Sequence, residues 1–204
     1  MLQTARAYAE RAGRGDFIAV VGGPLVVISR WDSGRALTRM AVNHARWTLC
    51  RPSMADEMGA AAAEGARSIP GFRSITVVGA YRGTERGVLA RAEQALGTKI
   101  LRGYGTSEFL GPISPRPEDP EAIRLGRDGR PVPGTEVRAV APDGAVLGPG
   151  VIGRAEVRGP SLLLGHAHDG KTEPPVLSED GFFATGDLLM TSEEGTVTVA
   201  AGAG

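Results

Sequence analysis

Residues 99–108 read Lys-Ile-Leu-Arg-Gly-Tyr-Gly-Thr-Ser-Glu, an apolar strand pattern running into a glycine-bracketed loop with a ring, two hydroxyls and a carboxylate. These groups can serve one ligand. Gly103 and Gly105 let backbone approach it closely, Tyr104 offers a stacking face, Thr106 and Ser107 can bond phosphate oxygens, and Glu108 can hold Mg²⁺. A plain turn with a capping serine explains the same residues equally well.

Other chemistry-bearing residues carry less. His166 and His168 would share one face of a strand beside Asp169, yet no further Cys or His cluster completes a zinc site, and the structural reading is preferred. Gly103-Tyr104-Gly105 fails as a dinucleotide fingerprint because the third glycine and the downstream acid are absent. Lys171 lies in a polar loop and reads as a solvated charge. Cys50, in the apolar run 47–50, is the single cysteine; it excludes an intrachain disulfide and reads as a buried structural thiol.

The elements that must position these residues change character along the chain. In the first half, short β-branched runs alternate with longer helical patterns, as expected of an α/β layer. Strands are expected at residues 25–28, 47–50, 75–78 and 99–101. Helices are expected from the Asp32/Ser33 caps to about His44, at 54–64 after Pro52, and at 84–96 with Gly97 as the C-cap. Residues 17–21 stay open between strand and helix. The breaker-rich run 111–117 marks a boundary. Beyond it, residues 136–140 and 154–158 alternate in strand fashion around the Asp143-Gly144 turn, and a hairpin is expected at Glu194-Gly195. The expectation is an α/β fold: a layered, mostly parallel sheet with flanking helices over residues 1–112, then a small antiparallel sheet or partial barrel over 113–204.

Composition narrows the partners. The 204 residues carry 23 Lys+Arg and 23 Asp+Glu, so there is no net charge and no basic stripe to suggest nucleic acid or anionic membrane. The longest apolar stretch, 17–28, is broken by Gly22-Gly23-Pro24 and is too short to span a bilayer. No signal-peptide pattern opens the chain, and with one cysteine a cytoplasmic setting is expected. Lys99 and Lys171 are the only lysines, so nearly all the positive charge is arginine, which does not exchange protons at neutral pH.

Tyr104 to Glu108 is similar to the Tyr-Gly-x-Thr-Glu motif of the adenylate-forming superfamily, which includes acyl-CoA synthetases, luciferases and the adenylation domains of peptide synthetases. Ser107 replaces the threonine, keeping the hydroxyl and losing a methyl. Other segments agree in order and spacing. Val78-Gly79-Ala80 resembles the family's Gly-Ala segment, although Tyr81-Arg82 stands where Pro-Leu is usual. Residues 129–137 resemble its Gly-x-Pro-x-Pro-Gly turn, and 158–165 its Arg-Gly-Pro segment, both architectural. Residues 181–188 resemble the motif whose aspartate binds ribose, and residues 23–51 the preceding strand, helix and strand.

This resemblance implies ATP or AMP with Mg²⁺ as cofactors and a small carboxylic acid as substrate. It assigns Tyr104 to adenine stacking with Gly79 and Ala80 along its edge, Gly103 and Gly105 to the same pocket, and Thr106 and Ser107 to the α-phosphate. Glu108 falls to Mg²⁺ and Asp187 to the ribose. The family's phosphate loop ending in Pro-Lys is not found before residue 79, and no lysine follows Lys171. The expectation is therefore a partial, truncated ligase, not competent alone. The alternative is a non-catalytic nucleotide-binding or scaffold protein that associates with an acyl carrier protein, a complementary chain or a full-length homologue.

Overall fold

The structure, a computed structural model, describes residues 26, 28, 30–65, 69–79, 85–109 and 113–201. The chain divides into two compact units between Leu101 and Arg102. In the first, α1 (Ser33–Val42) is capped by Asp32, whose carboxylate accepts from the Arg35 N–H, and it buries Ala36, Leu37 and Met40, the i, i+1, i+4 stripe of an amphipathic helix. His44 takes a left-handed φ of 50° just past its end. Strand β1 (Trp47–Cys50) then pairs in parallel with β2 (Ser74–Val77), Trp47 opposite Ser74 and Cys50 opposite Val77.

Between these strands runs α2 (Pro52–Gly65), with Pro52 in the first turn, where its missing N–H costs nothing. α3 (Glu85–Leu96) follows β2, and β3 (Lys99–Arg102) lies beside β2 to give the order β1-β2-β3. All four residues of β2 are buried, the signature of a strand covered on both faces. The strand expected at 25–28 falls largely outside the described residues, as do 17–21; Val26 and Ile28 are half-buried.

The second unit begins with the loop that carries Tyr104. Its short strands β4 (Ile113–Ser114) and β5 (Arg130–Pro131) pair antiparallel, with the one-turn helix α4 (Glu121–Arg124) between them. Gly129 is required here: φ is +97°, and a Cβ would lie 2.0 Å from the Ser114 carbonyl carbon. After β6 (Glu136–Val140) and β7 (Gly153–Arg158) comes a separate hairpin of β8 (His166–His168) with β9 (Lys171–Glu173). It turns on Asp169-Gly170, both at positive φ, the backbone of a two-residue primed turn. Lys171, expected in a loop, stands in this exposed strand, because the Asp-Gly turn signal has no apolar alternation beside it.

The last strands are β10 (Phe183–Thr191) and β11 (Val197–Ala201), and the main sheet has the order β11-β10-β7-β6. β6 pairs antiparallel with β7, as alternation and the Asp143-Gly144 turn require, and Gly195 turns β10 into β11. The core of this unit gathers Phe109, Ile113, Ala139, Ala155, Val157, Leu189 and Val197 around Tyr104.

Candidate functional site

The motif loop is anchored at both ends. Tyr104 forms an isolated bridge to Ile113, its N–H donating to the Ile113 carbonyl at 2.9 Å. Thr106 and Phe109 exchange backbone hydrogen bonds of 3.0 and 3.3 Å, so Ser107 and Glu108 form the tip of a closed turn. The Glu108 carbonyl accepts from the Leu163 N–H at 2.8 Å, pinning the turn to the segment before β8. Ser107 is exposed and Glu108 half-exposed. The Thr106 hydroxyl is buried without a hydrogen-bond partner, a cost that an oxygen-rich ligand would relieve.

Asp187 arrives from the other side by a break in the sheet. Along β10, Ala184 faces Glu156 of β7 and Leu188 faces Arg154, so Thr185, Gly186 and Asp187 together oppose Ala155 alone. Two extra residues must leave the ladder, and such bulges re-aim side chains. Gly186, at φ +85°, makes the turn that a side chain would strain.

The bulge delivers Asp187 to Tyr104. The phenol donates to Asp187 Oδ2 at 2.6 Å, and its oxygen lies 2.9 Å from Thr185 Oγ1. Tyr104 is only 8 % exposed. Burial and then the Asp187 hydrogen bond push the phenol's pKa well above the usual tyrosine value, so Tyr104 stays protonated and acts as a donor.

The segment entering β10 is held as firmly. Phe182 is buried under two guanidinium groups, Arg138 at 3.8 Å and Arg158 at 4.4 Å from the ring centroid. Arg138 also pairs with Asp180 and Glu156, while Arg158 grips Glu136 with two hydrogen bonds and donates to the Asp180 carbonyl. Arg138 first, then the Ser178 hydroxyl, hold the Asp180 carboxyl down to about 2.

Two residues before Tyr104, Arg102 pairs with Asp128 at 3.2 Å, with Asp128 1 % exposed. Asp128 Oδ2 accepts from the Val199 N–H at 2.8 Å, tying the pair to β11. Burial raises the Asp128 pKa despite its partner.

The sequence-derived residues thus fall into distinct groups. Tyr104 and Asp187 are in direct contact, and Gly103, Gly105, Thr106, Ser107 and Glu108 lie on the same loop as Tyr104. Gly79 sits exposed just past the end of β2 in the first unit, at φ +127°. Ala80 lies outside the described residues. The contact of Thr185 with Tyr104 and the Arg102–Asp128 pair were not read from sequence; both join segments far apart in the chain, and residue type alone carries no such pairing.

Among the described residues no group of three His, Cys, Asp or Glu gathers as a metal site, and His166 and His168 are exposed, His168 resting on Asp169 at 3.2 Å. A single carboxylate at a turn tip fits Mg²⁺, which keeps its waters and is held by one or two carboxylates plus substrate phosphates. The buried Thr106 hydroxyl fits the nucleotide phosphate in the same way. No described helix is long and apolar enough to cross a membrane.

Comparison with known proteins bears on the family. The AMP-binding enzyme family matches residues 17–166. Triostin synthetase I of Streptomyces triostinicus is 38% identical over 110 residues, 53% of this chain and 21% of that protein. A salicylyl-CoA synthase / salicylate adenylyltransferase of a Streptomyces species is 29% identical over 180 residues, 87% of this chain and 32% of its own. The chain therefore spans between a fifth and a third of these relatives. In fold, the luciferase-like enzyme of the mealworm Zophobas morio aligns with a TM-score of 0.75 at 20% identity, covering 93% of this chain and 44% of that one. The chain belongs to the AMP-binding enzyme family, whose members here are adenylate-forming ligases.

Proposed function

We propose that this chain binds the adenosine and first phosphate of ATP or AMP within an acyl-CoA synthetase-like ligase that activates a small carboxylic acid. The observation that carries this reading is the Tyr104–Asp187 contact created by the bulge of β10. Asp187 receives the ribose hydroxyls, since a carboxylate offers about four acceptor positions. Tyr104 presents what remains of its ring to the adenine. Thr106 and Ser107 donate to the α-phosphate. Glu108 would hold Mg²⁺, which when bound neutralises phosphate charge.

Adenylation joins the acid's carboxylate to AMP and releases pyrophosphate, so positive groups must meet charge that develops on the leaving phosphates. Neither lysine suits that role. Lys99 pairs with Glu93 at 3.7 Å, and Lys171 is exposed on the β8–β9 hairpin. We propose that the chain alone does not adenylate and that other residues supply these groups. A pyrophosphate-exchange assay over a panel of acids tests this. No exchange, with AMP protecting the fold against heat, is expected; robust exchange would overturn it.

One observation favours a second reading, in which the chain is a scaffold for a carrier protein or a fuller homologue. Leu164 and Val176, on either side of the β8–β9 hairpin, are 93% and 89% exposed, and apolar groups left in water suit association. Absence of any AMP effect on thermal unfolding would favour it.

A further inference from the structure

We infer that Thr185 is a positioning residue, holding the Asp187 carboxylate in the orientation that discriminates nucleotides with ribose hydroxyls from those without; this rests on the nucleotide reading above. The hydrogen bonds around these residues converge on the Asp187 carboxylate. A phenol has a single proton, and Tyr104 sends it along the shorter contact, 2.6 Å to Asp187 Oδ2. The Thr185 hydroxyl, its oxygen 2.9 Å from the phenol oxygen, donates to Asp187 Oδ2 at 3.4 Å. The Asp187 N–H in turn donates to Thr185 Oγ1 at 3.2 Å.

Each donor is used once: Asp187 N–H to Thr185, and the Thr185 and Tyr104 hydroxyls both to the Asp187 carboxylate. Hydrogen bonds that share members polarise one another. Thr185 thus bonds both the backbone and the carboxylate of Asp187. Its hydroxyl therefore fixes where the carboxylate points across a bulge whose backbone, with glycine at Gly186, would otherwise have latitude.

The chemistry predicts a selective loss. Removing the hydroxyl takes one of two hydroxyl donors from Asp187 Oδ2 and leaves the Tyr104 hydrogen bond, so the carboxylate is less tightly oriented and contacts to ribose hydroxyls weaken while contacts to base and phosphate remain. Binding of AMP and of 2′,3′-dideoxy-AMP is measured for the parent chain, Thr185→Val, which keeps the shape, and Thr185→Ser, which keeps the hydroxyl. The parent is expected to prefer AMP; Thr185→Val should weaken AMP about tenfold, leave the dideoxy nucleotide within about twofold, and Thr185→Ser should restore the preference. Thr185→Ala, which cannot overpack, serves if the valine variant does not fold and carries the same expectation. Equal weakening of both nucleotides, or no change in either, overturns the inference while leaving the nucleotide reading intact. No AMP binding by the parent chain overturns both.

Discussion

Tyr104→Phe isolates the phenol from the ring. It removes the 2.6 Å hydrogen bond to a carboxylate, a class worth about 1.5–3 kcal/mol. Asp187 is half-exposed, so water replaces much of the lost partner, and a cost of about 1 kcal/mol near pH 8 is expected. For a unit of this size that lowers Tm by about 4–8 °C. The pH dependence is more discriminating. The folded pKa of Tyr104 is raised above its unfolded value of 10.0, so its contribution is fully present below pH 10 and is lost as pH rises, because the unfolded chain releases a proton that the folded chain keeps. One pH unit above the unfolded pKa the loss is about 1.4 kcal/mol. Cys50, its thiol pushed up to about 12 by burial, also costs stability in alkali, but equally in both proteins, so it cancels in the difference. Urea unfolding of both proteins at about pH 9 and about pH 11 is the assay. The parent's advantage should fall by about 1.4 kcal/mol at the higher pH, leaving it no more stable than the variant; an unchanged advantage would refute the burial of Tyr104 against Asp187.

Asp128→Ala leaves Arg102 facing a buried void and strips the Val199 N–H of its acceptor; a loss of about 3–5 kcal/mol is expected in denaturant unfolding of the second unit. Gly59→Val puts a Cβ 2.7 Å from Ala92 Cα where α2 meets α3 and should cost about 1–3 kcal/mol, read by thermal melting. Gly186→Ala imposes a side chain at φ +85° for about 1–2 kcal/mol, and should weaken AMP binding by displacing Asp187. The buried Cys50 thiol should resist an aromatic disulfide reagent at about pH 8 in the native protein and react at once in denaturant.

Local pattern carried the elements well where one face is buried. The 47–50 strand, the Pro52 start of α2 and the Gly97 end of α3 follow from a short apolar run, a missing N–H and a left-handed φ of 60°, each a property of one residue and its neighbours. The β6–β7 and β10–β11 hairpins were likewise legible in alternation and turn residues. The hairpin at Asp169-Gly170 escaped because its strands are short and wholly exposed, so no apolar alternation marks them. The motifs singled out Tyr104 and Asp187 as candidates, but nothing in residue type told that they touch. That contact depends on two residues of Thr185-Gly186-Asp187 leaving the ladder, a register event set by the pairing of β10 with β7. The Arg102–Asp128 pair is invisible for the same reason, since its partners are brought together only by the folded sheet.

The nucleotide reading stands or falls on calorimetric titration of AMP into the parent chain and into Asp187→Ala. Saturable binding by the parent and at least about tenfold weaker binding by the variant are predicted, with both proteins folded by near-ultraviolet circular dichroism. Equal affinity in the two folded proteins, or no binding by the parent, would contradict it.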